Sequence, residues 1–380
     1  MPRRPCLAAA LAASLALAPH ASAAPSPRPF APGFIETVVA GGFDSPVSMA
    51  FAPDGRVFVC EQGGALRVIR QGRVLPRPFW TAPTHADTEE GLLGVAFDPD
   101  FASNGFVYVC YTALVPARHQ RISRLVAMGD TAKANAEVVL LELDENHNHL
   151  HVGGALRFGR DGMLYAGTGD NDLGDPSQSL HSTFGKLLRI RPDGTIPADN
   201  PFVHEATGRY RAIWARGLRN AFTLDVQPGT GRLFVNDVGG SEWEEVDEAA
   251  AGANYGWPAY EGPSGSDGFR LPVHAYRHSD GCAITGGAFY GPAKAAFGRD
   301  WVGRYFYAEY CRNEIRWIDP ANAEAFHVFG VTHVAGPVDL RVGPDGCLYV
   351  LARGNSGVVG GEHSSSGSLL RISPGNVREH

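Results

Sequence analysis

Pro53-Asp54-Gly55-Arg56-Val57-Phe58-Val59 decides the fold, because a tight polar turn runs straight into a β-branched and aromatic burst. Pro, Asp and Gly suit a chain reversal, while Val and Phe pack well on a pleated strand. The same transition recurs at Asn104-Gly105 into Phe106-Val107-Tyr108-Val109, and at Arg160-Asp161-Gly162 into Met163-Leu164-Tyr165-Ala166. It returns at Thr230-Gly231 into Arg232-Leu233-Phe234-Val235, at Val302-Gly303 into Arg304-Tyr305-Phe306-Tyr307, and at Pro344-Asp345-Gly346 into Cys347-Leu348-Tyr349-Val350. Repetition at this scale marks small antiparallel sheets that cannot cover both faces alone and must stack in a ring. The expected architecture is all-β, a six-bladed β-propeller of four-stranded antiparallel blades.

Outward from these turns, the blades read as residues 43–75, 91–140, 152–190, 212–246, 285–318 and 338–372. Strands at the two chain ends are expected to share one blade and clasp the ring. Residues 130–136 are the best short helix candidate. The stretches 81–90, 170–183 and 254–279 read as long loops, which in a propeller crowd one mouth of the central channel. Gly (47) and Pro (27) are spread through the strands rather than clustered, which excludes a disordered chain. The net charge of −7, without a basic run, argues against a nucleic-acid partner.

The N-terminus reads as a signal peptide over residues 1–23: Arg3 and Arg4, an apolar stretch from Leu7 to Ala18, and the small-residue site Ala21-Ser22-Ala23. A Pro-rich leader (24–34) follows, then the propeller domain (35–375). No segment is long enough for a membrane span. The expected location is periplasmic or secreted, where disulfides form. Cys6 falls in the signal, leaving Cys60, Cys110, Cys282, Cys311 and Cys347, an odd number. Cys282 and Cys311 sit in consecutive strands of one blade and are the expected bridge; Cys60 and Cys110 read as buried thiols.

Three constellations carry candidate chemistry. Asn146-His147-Asn148-His149-Leu150-His151 places three imidazoles at alternating positions, which would bind a metal if they shared a strand face. The alternative is that His151 serves alone as a general base, with Asp170 folded back to fix its tautomer; a hydrogen-bonded structural histidine is the plain reading. The second, residues 236–247, combines Gly239 and Gly240 with several carboxylates, hard oxygen donors that suit Ca²⁺, although an acidic solvated turn explains it almost equally. The third, Trp214-Ala215-Arg216-Gly217-Leu218-Arg219-Asn220, offers guanidiniums and an amide to an acidic or quinone ligand, or to an acidic loop.

Together these residues resemble the soluble pyrroloquinoline-quinone (PQQ)-dependent sugar dehydrogenases of the glucose/sorbosone dehydrogenase family. The resemblance spans residues 35–373. It rests on Glu90-Gly91-Leu92-Leu93-Gly94-Val95-Ala96-Phe97-Asp98-Pro99-Asp100-Phe101, on His151 through Gly154, and on Gly185-Lys186-Leu187-Leu188-Arg189-Ile190. Further support comes from Ile196-Pro197-Ala198-Asp199-Asn200-Pro201-Phe202, Gly217-Leu218-Arg219-Asn220 and Asn254-Tyr255-Gly256-Trp257-Pro258.

The resemblance implies His151 as catalytic base and Asp170 as its partner, with Arg219 and Asn220 contacting the quinone oxygens. It implies Gly239 and Gly240 carbonyls on the Ca²⁺ under PQQ, and Glu245 with the Tyr255 carbonyl on a second, structural Ca²⁺. The implied activity is oxidation of an aldose or related sugar at its anomeric hydroxyl; the electron acceptor beyond PQQ is not indicated. Three departures from the pattern stand out. Glu89 stands where the glucose enzymes carry Gln, Cys311 replaces a Lys expected at a PQQ carboxylate, and an expected basic pair falls on Gly336 and Val338, with Arg341 three positions late. His333, Arg312 and Arg353 are the candidate substitutes. Loss of such anchors keeps two rivals open: a non-catalytic propeller binding carbohydrate or protein, and a Ca²⁺-dependent lactone hydrolase, whose central acidic cage is not evident in the sequence.

Overall fold

The computed structural model describes residues 30–265, 268–354 and 365–375. The signal-peptide reading and most of the leader lie outside the described residues. Within the described part of the leader, Phe30 is buried against Phe329 and the Ala31 N–H donates to the Phe329 carbonyl, so the leader's end is docked rather than loose.

The turn that decides the fold is built the same way three times. Ala52, Gly159 and Gly343 each bond the backbone across the reversal, through Ala52 N–Arg56 O, Gly159 N–Met163 O and Gly343 N–Cys347 O. In each turn the Asp carboxylate accepts an N–H two residues on: Asp54 from Arg56 (3.2 Å), Asp161 from Met163 (3.1 Å) and Asp345 from Cys347 (3.1 Å). The Gly closing each turn has positive φ (+87°, +71° and +79° at Gly55, Gly162 and Gly346), a conformation that carries little cost without a Cβ.

These turns join antiparallel strands into six sheets. Blade one is Pro46–Phe51, Val57–Glu61, Ala65–Arg70 and Arg73–Val74; blade two is Leu92–Phe97, Phe106–Ala113 and His119–Met128, flanked by Val138–Glu145. Blade three is Leu156–Phe158, Leu164–Gly167, Lys186–Ile190 and Ile213–Arg216; blade four is Ala221–Val226, Leu233–Asp237, Trp243–Glu248 and His274–Arg277. Blade five is Ile284–Phe289, Tyr305–Glu309, Glu314–Asp319 and Asn322–Val331. Blade six combines Pro337–Val342, Leu348–Ala352 and Gly367–Pro374 with the N-terminal strand Phe34–Phe43, the expected clasp. First strands pack side by side around the ring, and Pro337–Val342 returns to Pro46–Phe51. Each of the six blade interfaces has its own apolar cluster, so burial between blades closes the ring.

Two expectations need correction. Ile213–Arg216 completes blade three, so blade four begins at Ala221 rather than at 212. The stretch 130–136 is not a helix. Thr131–Ala132 pairs back on Ala127 and Met128, and Asp130 is taken by ion pairs with Arg56 (3.0 Å) and Arg70 (2.9 Å) rather than capping a turn. Among the described residues the one α-helix is instead the single turn Phe101–Asn104. Cys282 and Cys311 form the disulfide from the ends of neighbouring blade-five strands, while Cys60, Cys110 and Cys347 are free and buried. No helix among the described residues is long and apolar enough to cross a membrane.

Candidate active site

His151 lies in an irregular segment between Val138–Glu145 and Leu156–Phe158, at φ +49°, a left-handed backbone that costs a branched-at-Cβ or bulky residue energy. Two neighbours hold it there. The His151 N–H donates to Glu89 Oε2 (2.8 Å), and the His151 carbonyl accepts the Asn171 N–H (3.0 Å). That approach is possible because residue 169 is glycine: a Cβ there would lie 1.9 Å from the His151 carbonyl oxygen. The neighbouring Asp170 N–H donates to the Arg219 carbonyl (2.7 Å), and Gly169 bridges to Asn220, so base, acid and guanidinium are tied through the backbone.

The side chains complete the chain of contacts. His151 Nδ1 is 2.8 Å from Asp170 Oδ1, and His151 Nε2 is 2.9 Å from an Arg219 terminal nitrogen. A guanidinium only donates, so Nε2 must be the acceptor and Nδ1 carries the proton donated to Asp170. Unprotonated Nε2 therefore lies at the cavity wall with its lone pair held by Arg219, and it can act as a base only once Arg219 releases it. Asp170 also accepts Trp257 Nε1–H (2.8 Å) and the N–H groups of Asp172 (2.8 Å) and Gly174 (3.2 Å). Burial alone would raise its carboxyl, but the bonds from His151, Trp257 and Asp172 overcome this and hold it below the usual range.

These groups open on a cavity of about 310 Å³ lined by Glu89, His151, Arg219, Asn220, Gly239 and Gly240. The Cys282–Cys311 disulfide, Ala283 and Tyr310 line it as well. Arg219 also donates to the carbonyls of Val238 (3.0 Å) and Gly239 (2.5 Å) and stacks 5.4 Å from the Trp257 ring centre. Asn220 donates to Glu89 (3.4 Å), while its buried Oδ1 has no partner among the described residues. Burial raises the Glu89 carboxyl against the opposing pull of His151, Asn220 and Arg219. His278, which also lines the cavity, is raised by its hydrogen bond to Glu244.

The remaining candidates separate. The imidazoles do not share a face: His147 packs edge-on to Phe184, His149 pairs with Glu90 (2.9 Å), and His151 alone of the three lines the cavity. The irregular backbone of this segment breaks the strand alternation that a three-histidine metal site needed. Of the substitutes for the missing anchors, Arg312 bonds the Ser279 carbonyl and His333 pairs with Glu36, while the late Arg341 is buried beside Asp339; none of the three lines this cavity. Arg353, fully buried, lines a narrow neighbouring cavity that shares Glu89, Asn220 and Phe222.

Gly239 and Gly240 lie at the cavity wall, but the Gly239 carbonyl is engaged by Arg219. Gly240 is fixed from behind by Glu261, which accepts the N–H groups of Gly240 (2.5 Å), Ser241 and Trp243. Glu245 points away from the cavity wall into a buried cluster with Asp237 and Asp247, their ligand atoms within 4.8 Å of one another. Burial pushes Asp237 up to about 7, burial and Asp237 push Glu245 up to about 8, and burial with Glu245 and Asp237 pushes Asp247 well above the usual carboxylate range. Tyr255 is buried beside this cluster and its hydroxyl donates to the Glu248 carbonyl (2.7 Å).

The sequence reading held Asp237 and Asp247 only as members of the acidic stretch 236–247, and missed Glu261 and the role of Trp257. Glu245 and Asp247 alternate along one strand and were legible as one face; Asp237 reaches them only through the pairing of Leu233–Asp237 with Trp243–Glu248.

Comparisons with known proteins return sugar dehydrogenases and also the Hedgehog-interacting protein of Mus musculus, 30% identical over 214 residues, 48% of this chain and 30% of that protein. The family described as Glucose / Sorbosone dehydrogenase matches residues 43–360. Aldose sugar dehydrogenase YliI of Escherichia coli (strain K12) is 29% identical over 354 residues, covering 88% of this chain and 91% of that protein. The soluble aldose sugar dehydrogenase (Asd) from Escherichia coli in its apo-form superposes with a TM-score of 0.79 at 27% identity, over 90% of this chain and 100% of that one. The PQQ-bound aldose sugar dehydrogenase (Adh) from Streptomyces coelicolor does so with a TM-score of 0.76 at 26% identity, over 92% and 99%. The chain belongs to the glucose/sorbosone dehydrogenase family.

Proposed function

We propose that the protein is an exported sugar oxidoreductase that oxidises an aldose or related sugar at its anomeric hydroxyl, with PQQ and Ca²⁺. The observation that carries this reading is the His151 ring at the cavity wall, its Nδ1–H held by Asp170 and its unprotonated Nε2 held by Arg219, which must turn to a ligand to free it. His151 accepts the hydroxyl proton at Nε2, and Asp170 stabilises the resulting imidazolium. PQQ, when bound, supplies the two-electron acceptor for the hydride leaving the anomeric carbon, so that the sugar departs as a lactone.

The donor set fits such a ligand along one edge. A cavity of about 310 Å³ is within the range of small-molecule sites. Arg219 offers a guanidinium, and the buried Asn220 Oδ1 lacks a donor among the described residues. Arg219, Asn220 and Glu89 would hold the cofactor. The Gly239 and Gly240 carbonyls are the hard donors at that wall, and Gly239 would be freed of the Arg219 charge if that side chain turned towards an acidic ligand. A second cation fits the buried carboxylates Asp237, Glu245 and Asp247, beside the Tyr255 carbonyl that the family resemblance implies; both Asp247 oxygens are without partners among the described residues.

A binding module without turnover is favoured by one observation: Cys311, held in a disulfide at the cavity, stands where a lysine was expected. Purified protein loaded with PQQ and CaCl₂ and offered a panel of aldoses with an electron-accepting dye separates the two. Sugar-dependent dye reduction that requires PQQ supports the enzyme; sugar binding with no reduction at saturating PQQ supports the module.

A further inference from the structure

One carboxylate of the buried cluster faces two sites at once. Asp237 ends Leu233–Asp237, directly opposite Glu245 in the antiparallel pair, and Asp247 follows two residues later on the same face. All three are nearly or fully buried, and their ligand atoms fit within 4.8 Å. Three carboxylates at this separation repel unless they take up protons or a cation sits among them. Both oxygens of Asp247, which is 0% exposed, lack a hydrogen-bond partner among the described residues. An all-oxygen set of this kind suits a hard divalent cation.

The other face of Asp237 meets the cavity residues. Its Oδ1 accepts the Asn220 N–H (2.6 Å), and its Oδ2 accepts the Arg219 N–H (2.9 Å). Each carboxylate oxygen keeps a further lone pair for a metal. Arg219 and Asn220 in turn present a guanidinium and an amide to the cavity.

We propose that Asp237 is a positioning residue that couples cation binding in the blade-four cage to the order of the Arg219–Asn220 turn, so that a filled cage presets the cavity for its ligand. The cavity half of this coupling rests on the functional reading above; the cage half does not. Linkage makes the effect mutual: whatever factor the cation adds to ligand affinity, the ligand adds to cation affinity.

The test uses the full chain and two readouts. Tb³⁺ luminescence, competed with CaCl₂, measures cage binding, and amide hydrogen exchange measures the Arg219 and Asn220 N–H groups directly, without PQQ. Asp247→Asn, which removes a cage ligand and relieves repulsion without touching the cavity, is compared with Asp237→Asn. In the wild type, Ca²⁺ should slow exchange at Arg219 and Asn220 about tenfold or more, a typical coupling, with no comparable change in Leu348–Ala352 of blade six. Asp247→Asn should lose Tb³⁺ binding and this protection together, and should weaken PQQ binding by a similar factor with CaCl₂ present. Asp237→Asn should lose the protection even at Tb³⁺ concentrations that still fill the cage. Absence of Tb³⁺ binding in the wild type overturns the cage. Tb³⁺ binding that leaves exchange at Arg219 and Asn220 unchanged overturns the coupling. Failure of PQQ alone to bind, with both other effects present, counts only against the functional reading.

Discussion

Replacing Asp170 with Asn tests what the carboxylate contributes behind His151. The change keeps the shape and leaves an oxygen for Trp257 Nε1–H, but removes the charge 2.8 Å from Nδ1. When Nε2 takes a proton, the imidazolium and carboxylate centres lie roughly 4 Å apart, worth about 4 kcal/mol at the effective dielectric of a protein pocket. The amide dipole recovers a fraction, so roughly 3 kcal/mol of transition-state stabilisation should go, which is about 10²-fold in kcat. Steady-state dye reduction on PQQ-loaded protein measures it. PQQ affinity should stay within about threefold, because Asp170 does not line the cavity and a threefold change is under 1 kcal/mol. The acid limb of the pH–rate profile should also move to lower pH, since the protonated ring has lost its counter-charge, an effect that a merely structural role for Asp170 does not produce. A loss of kcat below threefold, or an unmoved acid limb, refutes the reasoning.

Further outcomes follow from the same physics. Glu89 is an acid raised by burial, so the folded state holds its proton at pH values where the unfolded chain has lost it, and stability declines as pH climbs through the folded value. Glu89→Gln should therefore be more stable than wild type at pH 7–8 by thermal melting, the gain vanishing below about pH 4.5, the usual glutamate value, and it should bind anionic PQQ more tightly at high pH. Lys186 is fully buried, with Nζ donating to the Pro176 (2.8 Å) and Ser177 (2.9 Å) carbonyls, and burial lowers it to about 7. The unfolded chain then binds the extra proton between about pH 7 and 10.5, so wild-type stability measured by urea unfolding should rise across that window, and Lys186→Met should flatten the rise. Opening the Cys282–Cys311 bridge with a double Ser variant releases a loop with a sequence separation of 29. Chain entropy puts this at about 3–4 kcal/mol; a shift under about 1 kcal/mol in denaturant unfolding counts against that estimate, and PQQ affinity should fall because the bridge forms a cavity wall.

The sequence was most informative where local chemistry sets local structure. The Asp-Gly turns at Gly55, Gly162 and Gly346 fold with matching hydrogen bonds, which is why their repetition betrays the blades. Five residues from distant segments, Glu89, His151, Arg219, Asn220 and Asp170, were named together and do converge on or directly behind one cavity. Reading failed where long loops hide partnership. Ile213–Arg216 is separated from its neighbour Lys186–Ile190 by a loop that carries no period, so its membership of blade three could not be read locally. The His147, His149 and His151 alternation was real in sequence, but the backbone there is not extended and the face it implied does not exist. The role of Asp237 escaped because only strand register sets it against Glu245, and that of Trp257 because its indole crosses between loops to reach Asp170.

The most direct test of the account is His151→Ala measured for PQQ affinity and for sugar-dependent dye reduction in the same preparation. With cofactor binding kept within about threefold, under 1 kcal/mol, reduction should fall about 10²–10⁴-fold, the range for losing a positioned general base. Dye reduction at the wild-type rate in that variant, with PQQ bound, would contradict the assignment of His151 as the base.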